Sequence, residues 1–323
     1  MQPAPDAAPD AAPDAAPDAA PDDPDPDSRW EVERITDAAV LLDRLRPLID
    51  ADPLGTNVTA SVAVAALDGR PQPPGSFWLV AADAAGAPGG AVMCTTGFEP
   101  ALTTMPDGAA AALADLLHAT SHPLDAVHGD ADATLAFARR WCELTGADAE
   151  RVMAEGVRLL GDLVAPAGVP GTARTAVAAD EPLVTEWFVD FAVEAHPGRP
   201  PGPEAARAHA ALFVRRLAAG QVILWEDGGA PVSLAGWQVP SPGGLARVGP
   251  VYTPRDRRGR GYATGVTAAA TRAALDAGAG GVMLHTDQAN LTSNGVYARL
   301  GYALVGEAST WVFSPPRPGG GVG

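Results

Sequence analysis

Apolar positions along this chain recur with two alternating periods, one helical and one strand-like. In TDAAVLLDRLRPLI (Thr36–Ile49), Val40, Leu41, Leu45 and Leu48 share a helix face, with Thr36 as the predicted N-cap. FWLVAA (Phe77–Ala82) and GAVMCTT (Gly90–Thr96) are apolar runs of strand length flanking the turn segment DAAGAPG. DGAAAALADLLHAT (Asp107–Thr120) predicts a helix, DAVHG (Asp125–Gly129) a short strand, and DATLAFARRWCELTG (Asp132–Gly146) a helix closed by a C-cap glycine.

After the Pro/Gly-rich joint APAGVPGTA (Ala165–Ala173) a similar order returns. Helices are predicted over Asp180–Ala195 and Glu204–Gly220, then strands in QVILWED and PVSLAGWQV around the tight EDGGAP turn. LARVGPVYT (Leu245–Thr253) is a third strand, followed by a helix over Ala263–Gly278 and a strand over Gly281–Asp287. A short helix over Thr292–Tyr302 and a last strand over Ala303–Phe313 complete the pattern. Both stretches run helix, hairpin, helix, strand, helix, which suggests a structural duplication. The expected division is an acidic arm at 1–28, ordered units at 29–165 and 172–314, and a flexible tail at 315–323.

Composition sharpens this outline. A chain of 323 residues allows two compact domains or one large one. The formal net charge is -17, and the PDAA repeat of residues 1–28 contributes eight aspartates to it. Proline at every fourth position of that repeat forbids a regular helix, so a disordered arm is expected. All 22 basic residues are arginine. Cys94 and Cys142 belong to no C-x-x-C or Cys/His cluster, so neither a disulfide framework nor a zinc site is expected. No apolar run approaches the ~20 residues of a membrane span, and no secretory signal opens the chain. A cytoplasmic protein that does not act at a membrane follows by elimination. Acidity argues against nucleic acid as a partner and is compatible with a cationic substrate.

One stretch runs against the overall charge: RDRRGRGYATG (Arg255–Gly265), between the strand ending at Thr253 and the helix starting near Ala263. A helix N-terminus carries unpaired N–H groups and partial positive charge. Gly259 and Gly261 let an anion approach the backbone closely, while Arg258 and Arg260 can add charge-assisted contacts. The arrangement reads as a pyrophosphate cradle. A P-loop requires a lysine that the chain lacks, and a dinucleotide fingerprint would need a third glycine where Thr264 stands.

The order RGRGYA from Arg258 to Ala263 fits R/Q-x-x-G-x-G/A, and an N-x-x-x-N-x-x-Y-x-x-x-G-Y run follows from Asn290 to Tyr302. With these motifs, the segment from Gly249 to Tyr302 resembles the GCN5-related N-acetyltransferase (GNAT) family. The resemblance implies an α/β fold with a mixed, mostly antiparallel sheet flanked by helices, and two such units in tandem. It implies acetyl-CoA as co-substrate, direct transfer to the amine of a small molecule or peptide, and no metal. By the same resemblance, backbone of Val251, Tyr252 and Thr253 pairs with the pantetheine arm. Arg258, Gly259, Arg260, Gly261, Tyr262 and Ala263 cradle the diphosphate. Asn294 contacts the coenzyme arm, Tyr297 protonates the departing thiolate, and Asn290 either joins them or shapes its loop.

No glutamate occurs between Glu226 and Glu307, where relatives often place a general base, so His285, Asp287 and ordered water stay open for that role. In the first unit, the position of the phosphate loop reads EPALTTMPDGAAAA (Glu99–Ala112), acidic and without arginine, which marks it as a degenerate counterpart. A non-catalytic acyl-CoA-binding regulator or scaffold is the alternative reading. The sequence is compatible with a monomer or a homodimer.

Overall fold

Trp78 and Val80 of one strand pack to one side of a sheet, and Phe77, Leu79 and Ala81 of the same strand pack to the other. That two-sided burial, repeated in each half, explains why the strands read as continuous apolar runs. The computed structural model describes residues 30–196 and 199–315; the acidic repeat of 1–28 and the tail beyond 315 lie outside the described residues. In chain order the first half contains β1 (Glu31–Ile35), α1 (Ala38–Ala51), α2 (Asn57–Leu67), β2 (Phe77–Ala82), β3 (Pro88–Cys94), β4 (Ala101–Leu102), α3 (Asp107–Ala119), β5 (Ala126–Asp130), α4 (Ala131–Thr145) and β6 (Asp148–Leu160). The second contains β7 (Thr172–Thr175), α5 (Glu181–Ala195), α6 (Pro203–Val214), β8 (Val222–Asp227), β9 (Ala230–Gln238), β10 (Leu245–Tyr252), α7 (Tyr262–Asp276), β11 (Gly281–Asp287), α8 (Leu291–Arg299) and β12 (Tyr302–Ser314). The two halves have the same order of strands and α-helices.

All twelve strands form one sheet in the order β1-β2-β3-β4-β5-β12-β6-β11-β10-β9-β8-β7. Only β4–β5 and β10–β11 are parallel; every other neighbouring pair is antiparallel. The mixed, mostly antiparallel sheet flanked by helices is therefore as expected. Its centre was not expected. β6 leaves its own half to pair with β11, from Met283↔Leu159 to Asp287↔Glu155. β12 makes the reciprocal exchange and pairs with β5, from Ala308↔Asp130 to Val312↔Ala126. The two exchanged strands also pair with each other, from Tyr302↔Leu160 to Ser314↔Asp148. The halves thus share a backbone hydrogen-bond ladder, supplemented by side-chain contacts such as Arg70 donating to Gln221 at 2.9 Å.

Four apolar clusters fill the layers. On one face α1 and α2 cover β2–β4, and α5 and α6 cover β8–β10. On the other, α3 and α4 cover the first half and α7 and α8 the second. Local signals shift slightly from the sequence reading. The α1 cap is Asp37, one residue beyond Thr36, and its Oδ1 accepts from the amides of Ala39 (2.8 Å) and Val40 (3.0 Å). Val40 is 52% exposed and Leu41, Leu45 and Ile49 are buried, so the apolar face is rotated from the expected one. α6 ends at Val214, short of the expected Gly220, with turns filling the gap. α4 closes at Gly146 (φ 72°) as anticipated.

Candidate functional site

Two strands of the second half start together and then separate. β10 and β11 pair only over Leu245–Arg247 and Gly281–Met283. Beyond Arg247 the pairing of β10 with β9 also shifts register, between Val248 and Val251. Val251 and Tyr252 keep β9 partners on one side and have no ladder toward β11 on the other. An edge of this kind inside a sheet carries backbone donors and acceptors available to a ligand. Thr253 is buried, and its hydroxyl is 2.8 Å from that of Ser233.

The arginine-glycine segment begins where this strand ends. Arg255–Arg257 form one 3-10 turn, Arg258 is extended, and Gly261 (φ 84°) stands at the N-terminus of α7. Gly259 has φ 79°, and a Cβ placed on it would meet nothing within 4 Å, so its backbone faces open space. Both angles lie in the left-handed region that L-residues occupy at a cost of roughly 1–2 kcal/mol. No side chain caps α7, which leaves its first-turn amides unanswered. Tyr262 is buried and its hydroxyl donates to Asp227, anchoring the helix start to the end of β8. Gly265, one turn on, lies against the Trp225 indole. Ala263 is half-buried, and Arg260 is exposed without a hydrogen bond or ion pair among the described residues.

Arg258 is differently employed. Its Nη2 lies 2.7 Å from Glu194 Oε2 on α5, its Nε donates to the Thr253 carbonyl (2.9 Å), and its guanidinium stands 5.9 Å from the Tyr252 ring centre. Arg255 shares Glu194 at 3.1 Å. Burial pushes the Glu194 carboxyl up, but the hydrogen bonds from Arg258 and Arg255 outweigh it and hold it below the usual carboxylate range. Arg258 therefore fastens the loop to α5, leaving Arg260 as the free cation of the RGR triplet.

The asparagine-tyrosine helix packs at the far end of β11. Asn290 caps α8, its Oδ1 accepting from the Ser293 amide at 3.0 Å, so it shapes this turn. Asn294 donates to the carbonyls of Asp287 (3.0 Å) and Gln288 (3.2 Å) and accepts from Arg158 of β6 at 3.1 Å. Its side chain thus joins three elements. Tyr297 is 8% exposed, with its ring edge-on to Tyr302 at 6.3 Å. Burial pushes its phenol up to about 12, with Arg158 pulling the other way.

On the opposite face, a line of polar side chains crosses the centre of the sheet. Arg247 of β10 reaches Gln238 at 2.9 Å. His285 and Asp287 alternate on β11, and the register puts Glu155 of β6 directly beside Asp287. His128 and Asp130 follow on β5. Burial, Arg247 and His128 bring His285 down to about 3; burial, Arg247 and His196 bring His128 down to about 4. Burial has the reverse effect on Glu155, raising its carboxyl above the ordinary range. A cavity of about 260 Å³ opens here, lined by Glu99, Met153, Ala154, His196, Arg199 and Asp287 among others. A second, of about 210 Å³, includes His128, Asp130, Val157 and His285 in its lining. Glu155 was missed in the sequence because it sits 132 positions before its strand neighbour Asp287, and no local motif announces which strand β6 will join.

Comparison with known proteins agrees with this fold. The family model described as the acetyltransferase (GNAT) family matches residues 183–302, from α5 to the first residue of β12. No curated protein matches the sequence. A GCN5-related N-acetyltransferase from Sphaerobacter thermophilus has a similar fold, with TM-score 0.55 and 17% identity, over 90% of this chain and 96% of that one. A GNAT-family acetyltransferase from Colwellia psychrerythraea superposes with TM-score 0.51 and 12% identity, over 88% and 99%. A tandem GNAT protein from the clavulanic acid biosynthesis pathway gives TM-score 0.50 and 15% identity, over 90% and 100%. These likenesses extend through both halves.

Proposed function

With residues 183–302 a domain of the acetyltransferase (GNAT) family, whose chemistry is acyl transfer, we propose that the chain is an acetyl-CoA-dependent N-acetyltransferase acting on a primary amine. The observation that carries this reading is the uncapped start of α7, preceded by Gly259 and Gly261 and set beside a strand that parts from its neighbour. Such a start can hold a diphosphate through main-chain N–H groups, with Arg260 free to add charge and Tyr262 and Ala263 fixing the helix entry. The parted edge at Val251–Thr253 offers backbone groups to an amide-bearing pantetheine arm. Acetyl-CoA would supply an activated acetyl thioester.

The chain's own part is to hold the donor, admit the amine and manage protons. Tyr297 keeps its proton at neutral pH, because burial holds the phenol at about 12. Transfer to a thiolate whose conjugate acid lies near ~8.5 runs uphill from so weak an acid, so Tyr297 serves as a relay that takes up the amine's proton as it gives its own to the sulfur. Asn294 and Asn290 act chiefly by setting the turn and helix from which Tyr297 projects. In this reading the first half carries no coenzyme: its equivalent helix α3 begins with Asp107 after Pro106, and the preceding loop has no arginine.

Calorimetric titration of the whole chain with acetyl-CoA tests the proposal. Saturable heat that weakens in R260A is the expected result, and an absence of heat with both acetyl-CoA and CoA would end it. A non-catalytic acyl-CoA-binding protein predicts binding without thiol release for every amine offered.

A further inference from the structure

The exchanged strand brings into the second half a group that the second half itself lacks. Glu155 is half-buried at the centre of the sheet, between Asp287 on β11 and Ala308 on β12. Among the described residues its carboxylate makes no hydrogen bond and no ion pair. The charged groups that face it come from four elements: His196 at the end of α5, Asp287 of β11, Arg247 of β10 and Glu99 before β4. Its chain neighbours Met153 and Ala154 line the larger cavity, and Val157 lines the smaller. Ala308, its partner on the flanking strand, lines the smaller cavity. A charged side chain kept unpaired in such a place costs stability, so its presence points to a transient partner.

We infer that Glu155, delivered from the first half by strand exchange, takes the proton of a protonated primary amine acceptor bound in the cleft between the halves. This rests on the acetyltransferase reading above. An ammonium has two protons to lose on the way to an amide. The first passes to the Glu155 carboxylate, giving a neutral amine and a carboxylic acid that returns its proton to solvent. The amine nitrogen then forms the C–N bond as the C–S bond breaks, and its second proton ends on the departing sulfur, by way of Tyr297. Of the other candidates, His285 shares the face, but its conjugate acid is held too low to retain a proton drawn from an ammonium. Asp287 already accepts from the Ala289 amide at 2.9 Å. Asn294 donates to the Asp287 carbonyl, which ties α8 to the same end of β11 that Glu155 flanks.

Two measurements on the full chain test the inference. The first needs no acceptor: the protein is labelled with ¹³C at the glutamate carboxyls, and Glu155 is assigned by difference with E155Q. Its carboxyl is expected to titrate above the ordinary ~4.3; titration at or below that value overturns the inference. The second uses whichever of putrescine, lysine, benzylamine or ethanolamine gives the fastest thiol release. Wild-type kcat/KM should level off at neutral pH, because carboxylate plus ammonium is the reactive pair. In E155Q only amine already neutral in solution can react. The rate at neutral pH should then fall about 100-fold and climb about tenfold per pH unit toward the amine's own pKa near ~10. Acetyl-CoA affinity should be unchanged. A wild-type plateau retained in E155Q overturns the role of Glu155 while leaving the acetyltransferase reading intact; loss of acetyl-CoA binding by the wild type removes both.

Discussion

Arg158 and Asn294 meet at 3.1 Å, the guanidinium of an exchanged first-half strand gripping the helix that carries Tyr297. A hydrogen bond to a charged group contributes about 1.5–3 kcal/mol. R158A should lower stability by that amount in urea titration. It should also raise the Tyr297 pKa further, since Arg158 is the group pulling it down. Ultraviolet tyrosinate titration compared with Y297F reads that shift directly.

Tyr297 lies in an apolar cluster with Leu300 and Tyr302, so removal of its hydroxyl should leave packing intact. Y297F should lower kcat about 100-fold with an unchanged calorimetric affinity for acetyl-CoA. Equal turnover in the two proteins would assign the leaving-group proton elsewhere.

Gly259 has open space around it but a positive φ, so alanine there costs backbone energy and not a clash. G259A should lose about 1–2 kcal/mol of stability and bind acetyl-CoA at least about tenfold more weakly, a loss of about 1.4 kcal/mol or more. Thermal denaturation with and without acetyl-CoA separates the two effects.

The Glu194 carboxyl, paired with Arg258 and Arg255, titrates below its unfolded value. Its contribution is therefore fully present above the ordinary glutamate range near ~4.3 and disappears as pH falls through the folded value. Both arginines are exposed, so the effect should stay below about 1 kcal/mol. E194Q should match wild type in acid and be slightly less stable at neutral pH, as guanidinium midpoints at the two pH values will show.

Neither half carries its own final strand in its own part of the sheet. Produced separately, segments 1–165 and 172–323 should each fail to give a cooperative unfolding transition, whereas co-expression should restore one. Independent cooperative folding of either segment would mean that β6 or β12 can turn back to its own half.

Much of this was legible in local pattern. The bounds of β2 and β11 match the apolar runs that predicted them, and Gly259 and Gly261, singled out in the sequence for their missing Cβ, both take positive φ. What escaped had no local signal. α2 (NVTASVAVAAL) is apolar or small nearly all round, because it is buried among the sheet and a crossing contact: Asn57 Nδ2 donates to the Leu245 carbonyl at 3.0 Å. Such a helix shows no polar stripe. β6 mixes charge and apolar residues because one face meets the polar centre of the sheet and the other sends Arg158 to α8. Arg258 and Asn294 were read as ligand contacts from their motifs; their present partners, Glu194 and Arg158, lie far away in sequence and could not be foreseen from spacing.

The crossing of β6 and β12 sets an order on biosynthesis. A ribosome delivers β6 early, yet the strands that flank it are the eleventh and twelfth to emerge, so both of its margins wait bare until translation is almost complete. The final thirteen-residue strand closes two gaps at once. A nascent polypeptide cut short before Tyr302 would leave β5 and β6 each with an open margin, exposed to pairing with other copies.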